Sequence, residues 1–173
     1  MAEWSMLTLV GEDRPGIVAA VTEVLFASGC NLGETAMVRL GGNFSMMLMV
    51  SRPTDGCALD EKLSSVMERF GLQLHQSAII GELHSHLQPN LQLVVYGADR
   101  AGIVASVTAK LAEAGFHILD LRTDVGGSSR DPIYVMEIEG YADQEAAELE
   151  QRLEPLRQQG VEWRLSTIDL MVG

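Results

Sequence analysis

The sequence predicts an α+β fold made of two successive βαββαβ units, each a four-stranded antiparallel sheet with two helices on one face. Two observations carry this. Residues 11–32 (GEDRPGIVAAVTEVLFASGCNL) reappear as residues 97–118 (GADRAGIVASVTAKLAEAGFHI), offset by the 86 positions that separate Gly11 from Gly97. Each half also alternates segments of period two with segments of helical spacing, in the same order. About half of the paired positions are identical, among them Asp13/Asp99, Arg14/Arg100, Gly16/Gly102, Ile17/Ile103, Val21/Val107, Leu25/Leu111 and Gly29/Gly115. The apolar members of that set would persist for packing alone. The Asp-Arg-x-Gly members are where function is to be sought.

Residues 4–10 read as a strand, with Leu7 and Leu9 on one face and Met6 and Thr8 on the other. The period then changes: Ile17, Val21, Val24 and Leu25 form one stripe of an amphipathic helix, with Pro15 suited to its first turn and Gly29 placed for a left-handed C-terminal cap. Residues 31–39 and 43–50 are β-rich runs joined by Gly41-Gly42, a hairpin signal. Leu59, Leu63, Val66 and Phe70 restore helical spacing, Gly71 stops it, and residues 72–81 return as a strand. In the second half, residues 91–97 are a strand, and Ile103, Val107 and Leu111 stripe a helix. Residues 116–125 and 133–139 flank a polar loop, 126–132. Ala146, Leu149, Leu153 and Leu156 line a helix capped by Asp143, and residues 161–171 end the unit. Right-handed crossovers fold this order into the ferredoxin-like split βαβ arrangement. The expected units are residues 1–83 and 90–173, joined by a linker at 84–89.

The formal net charge is −12, and both halves are acidic. Such a field repels a phosphate backbone, and no basic cluster or aromatic ladder offers an exception, so no direct nucleic-acid binding is expected. No apolar run reaches the roughly 18 residues that span a bilayer, and the first ten residues do not read as a secretion signal, so no membrane partner is expected. Cys30 and Cys57 lack any CxxC spacing and read as inert thiols of a reducing cytoplasm.

The loop 11–16 and the partner residue Asn31 carry the most chemistry. A helix N-terminus presents unpaired N–H groups and a partial positive charge, which favours a carboxylate. Gly16 permits close approach, and Asp13 and Asn31 offer acceptors for an ammonium group. Chain reversal after the helix is expected to bring Asn31 back towards Asp13. Donors for a carboxylate beside acceptors for an ammonium describe a receptor for a free α-amino acid. A purely structural reading of the same residues has Asp13 capping the helix, Arg14 solvated and Asn31 filling a turn.

The pattern D-R-P-G-I-V followed by G-x-N-L, in a βαββαβ unit, resembles the ACT domain, a family of small regulatory modules that bind amino acids. Two such units with a longer second hairpin loop are similar to the glycine cleavage system transcriptional repressor family. The resemblance implies a non-enzymatic cytoplasmic regulator with no cofactor. It implies an amino acid, with glycine foremost, as the signal, and a protein partner such as a DNA-binding regulator. It also implies that a polar residue before the first helix and an asparagine opening the second strand hold the ligand. Those map to Asp13, with Arg14, Pro15 and Gly16, and to Asn31. In the second unit they map to Asp99, Arg100 and Gly102, and to His117. Ala101 and His117 depart from the pattern, so the first site is expected ahead of the second.

Other features carry less. His84 and His86 lack further ligands for a metal. Met46, Met47 and Met49, with Met37, read as core or inter-domain packing. The Glu-rich stretch 145–154 reads as a solvated helix face. No nucleophile elbow, P-loop or paired Ser/His or Cys/His motif appears. The expected protein is therefore a homodimeric regulator that senses an amino acid, the alternative being a regulatory subunit of a metabolic enzyme without a ligand of its own.

Overall fold

A computed structural model of the chain describes residues 4–51, 56, 58–79, 87–98, 102–128 and 131–168. The chain divides into two compact units, Met1–His84 and Ser85–Gly173. In the first, β1 (Trp4–Glu12), α1 (Ile17–Ala27), β2 (Leu32–Leu40), β3 (Asn43–Ser51), α2 (Leu59–Phe70) and β4 (Gln73–Ala78) follow in order. The second repeats them as β5 (Leu91–Ala98), α3 (Ile103–Glu113), β6 (His117–Ser128), β7 (Asp131–Tyr141), α4 (Ala146–Gln158) and β8 (Glu162–Thr167). Each unit is α+β, with one four-stranded antiparallel sheet ordered β2-β3-β1-β4 or β6-β7-β5-β8. Among the described residues, no helix is long and apolar enough to cross a membrane.

The apolar periodicities specify the two cores. In the first, Leu7 and Leu9 of the central strand pair with Leu48 and Met46, and all four are buried beneath Ile17, Val21 and Leu25 of α1 and Leu59, Leu63 and Phe70 of α2. In the second, Leu93 and Val95 pair with Ile138 and Met136 beneath Ile103, Val107 and Leu111 and the α4 leucines. Burial of the methionines does not follow the strand alternation: Met46 and Met49, on opposite faces of β3, are both buried, whereas Met47 and Met37 are exposed.

Glycines set the ends of α1 and α3. Gly29 and Gly115 take left-handed φ of 72° just past the helix. Their N–H groups bond to Phe26 and Ala112, and the next N–H groups, of Cys30 and Phe116, reach back to Leu25 and Leu111. This reciprocal pattern satisfies carbonyls that the helix itself leaves free. At the other end Gly16 and Gly102 are themselves the N-caps, with φ of 91° and 88°. Pro15 thus precedes the cap instead of occupying the first helical turn.

Two further features depart from the sequence reading. The described residues of the polar segment 126–132 are strand, because β6 and β7 continue pairing through Gly126↔Ile133 and then, past the end of β5, as a two-stranded ribbon through Gly127↔Pro132 and Ser128↔Asp131. Pairing between two strands needs no third neighbour, so the glycines there do not end the ladder. Asp143 does not cap α4. Glu145 holds that position in an extended conformation without a side-chain bond. Asp143 instead accepts a hydrogen bond from the Tyr141 hydroxyl at 2.8 Å, and that bond holds the phenol above its ordinary pKa. His84 and His86, Cys57 and the first half of the expected linker lie outside the described residues.

Gly16→Ala would meet no close neighbour, the Phe70 ring tip being 4.0 Å from the added carbon, so its cost is backbone strain alone. Denaturant unfolding should show a loss of about 1–2 kcal/mol, the penalty of a left-handed L-residue. Gly140→Ala should cost more, since the new carbon overlaps the His117 carbonyl oxygen and the Phe116 ring. Val21→Asp, placing a charge in a fully buried position, should leave the first unit without a cooperative transition.

Candidate functional site

β1 ends where α1 begins, and the four-residue connection forms one wall of an open cleft of about 680 Å³. Asp13, Arg14, Pro15 and Gly16 line it together with the first turn of α1, and Met37, Arg39 and Phe44 complete it from the β2–β3 hairpin. The loop is pinned to that hairpin by the Asp13 N–H, which donates to the Gly42 carbonyl at 3.0 Å. Because the Ala20 N–H closes the first helical bond, onto the Gly16 carbonyl, the N–H groups of Ile17, Val18 and Ala19 have no acceptor within the helix. They edge the cleft.

The Asp13 carboxylate pairs with the Arg39 guanidinium across the cleft, Asp13 being 22% exposed and Arg39 66%. Arg14 pairs instead with Glu12, at 2.6 Å, and both are well exposed. The loop therefore brings together an anion, a solvent-accessible cation and the backbone of the first helical turn, against Ile17, Val18, Met37 and Phe44. That combination can hold a zwitterion by both ends. Among the described residues, no group of three or more His, Cys, Asp or Glu side chains is placed to hold a metal ion.

Asn31 is elsewhere. Its N–H donates to the Ser51 hydroxyl at 2.7 Å, its carbonyl accepts from the Ser51 N–H at 2.9 Å, and its side chain is exposed. The next residue, Leu32, pairs with Val50, which pairs with Ser5 at the start of β1, while the cleft lies beyond Glu12 at its end. Seven residues of extended chain, about 23 Å, separate the two levels. The expected return of Asn31 towards Asp13 does not occur within one unit. β1 and β2 are parallel, so the crossover helix carries the chain back to the end where β1 began. The second unit has the same geometry. Gly102 caps α3 beyond the end of β5, and His117 opens β6 opposite Tyr141, at the level of the β5 start, exposed to solvent. Asp99 and Arg100 lie outside the described residues.

Arg39, Met37 and Phe44 were not singled out as site residues by the sequence. Arg39 stands there only as the last residue of the β-rich run 31–39. The available signal was its place one residue before the Leu40-Gly41-Gly42 turn, which puts its cation at the same sheet end as the acidic loop.

The sequence pattern of the ACT domain matches residues 5–77 and 90–165. The glycine cleavage system transcriptional repressor of Escherichia coli is 24% identical over 159 residues, spanning 87% of this chain and 82% of that protein. A UPF0237 protein of Lactococcus lactis is 34% identical over 83 residues, 46% of this chain and 95% of its own length. The crystal structure of a protein of unknown function from Galdieria sulphuraria superposes with a TM-score of 0.81 at 26% identity, covering 98% of this chain and all of that one. That of a candidate glycine cleavage system transcriptional repressor gives 0.73 at 18% identity, covering 98% and 99%, a likeness of fold.

The Asp13–Arg39 pair is too solvated to matter much to stability. Asp13→Ala should shift the unfolding free energy by less than about 1 kcal/mol, and by less still in high salt, when urea titrations are compared at two ionic strengths.

Proposed function

Because this chain belongs to the ACT domain family, with two copies spanning most of its length, we propose that it is a non-enzymatic regulatory protein. In this reading it responds to a free amino acid and acts on a protein partner. The observation that carries the proposal is the cleft at the mouth of α1, where Asp13 and Arg39 offer both charges beside the first turn of the helix. A zwitterion is the ligand class that uses all of them. The name of the Escherichia coli relative points to control of glycine cleavage genes and makes glycine the first amino acid to test. With a net charge of −12, control of transcription would pass through a DNA-binding protein and not through contact with DNA.

Asn31 enters this proposal through a second copy of the chain. β2 is an edge strand, exposed along all nine residues. An edge of this kind invites pairing. Antiparallel pairing of two β2 strands sets the start of each beside the end of the other. Asn31 of one copy then lies at the level of the Asp13 loop of its mate, so the ligand closes a seam between copies and favours the assembled state by its differential affinity.

Thermal shift and calorimetric titration with the twenty amino acids test the proposal. A true ligand at a hundred times its dissociation constant should add about 2.7 kcal/mol to stability. Asn31→Ala and Asp13→Ala should each weaken that binding while leaving a folded protein. Silence across all twenty would overturn the sensing reading in favour of a regulatory subunit without a ligand of its own.

A further inference from the structure

We infer that the cleft of the first unit takes an α-amino acid with an apolar side chain, and that Arg39, more than the preceding loop, determines this by holding the carboxylate. The inference rests on the amino-acid reading above and narrows it. Met37 and Arg39 lie two residues apart on β2, so both side chains leave the sheet on the face that carries the helices. Their pairing partners, Met46 and Phe44, are buried on that face. Met37 and Arg39 are not: they remain 53% and 66% exposed and form one wall of the cleft. That wall therefore presents a guanidinium and then a thioether, about 6.6 Å along the strand. Val18, also exposed, lines the cleft with them, and the buried Phe44 lies beside Arg39 on the sheet.

A carboxylate placed on Arg39 and an ammonium on Asp13 would replace one ion pair with two, without changing the net charge of the site. Such charge-assisted bonds are the strong ones. Glycine satisfies these two ends and leaves the apolar wall wet. A leucine or methionine side chain covers Met37 and Val18, and each methylene so buried is worth about fourfold in affinity. The cleft, at about 680 Å³, has room for it.

Among the described residues, the second unit differs at this wall. Arg39 pairs with Phe44, which pairs with Gly11. In the repeat, Val125 pairs with Tyr134, which pairs with Gly97. Val125 thus stands in the place of Arg39, and Thr123 in that of Met37. The expected stoichiometry is one ligand per chain.

The test is calorimetric titration of the full chain and of Arg39→Gln with leucine, methionine, glycine and leucinamide, with circular dichroism confirming that the variant is folded. Leucine and methionine should bind once per chain, about tenfold or more tighter than glycine, and leucinamide should bind far more weakly. Arg39→Gln should cost leucine about tenfold to a hundredfold and erase its advantage over leucinamide, which a merely structural role would not do. Glycine binding as tightly as leucine, or an Arg39→Gln chain that still prefers leucine to its amide, overturns the inference and leaves the amino-acid reading standing. Failure of every amino acid to bind overturns both.

Discussion

The parallel relation of β1 and β2, with antiparallel β3 inserted between them, governs where everything else in each unit falls. A right-handed crossover must return the chain to the end of the sheet where it started. The loop that follows β1 therefore gathers at one end of its sheet with the β2–β3 hairpin, while the residues opening β2 and β6 each lie at the other end of their own sheet. Asp13 meets Arg39 because of this rule, and Asn31 is kept from Asp13 by the same rule.

Most of the fold was legible because burial leaves a period in the sequence. Ile17, Val21 and Leu25 are all buried, as are Ile103, Val107 and Leu111, and the glycines expected to close those helices do so. Leu7 and Leu9 announce a strand with one covered face. The β6–β7 ribbon was not legible, because strand pairing beyond the sheet needs backbone partners and not a characteristic side-chain pattern. Capping by Asp143 failed for a related reason. An acidic residue before a helix has several ways to be satisfied, and here the Tyr141 hydroxyl takes it.

The candidate site was half legible. The loop residues stood out through their repetition, and four of them line the cleft. Pairing Asp13 with Asn31 overlooked the topology that the same sequence predicts, since parallel strands cannot bring the exit of one beside the entrance of the next. Arg39 was invisible as a partner because a cation at a strand end is ordinarily solvated. Only the register of the hairpin, fixed by Arg39↔Phe44 and Glu12↔Asn43, reveals that it faces the loop.

Gly16 and Gly102 hold nearly the same dihedral angles, and that has an evolutionary consequence. Handedness at these two caps is enforced by stereochemistry and is indifferent to whether anything is recognised nearby. After a duplication, such a position stays put in both descendants, whereas an exposed side chain in one of them is at liberty to drift, as Val125 in the register position equivalent to Arg39 illustrates. Shared glycines in tandem modules of this architecture therefore attest to common ancestry of the backbone and are silent about whether the daughters still do the same job.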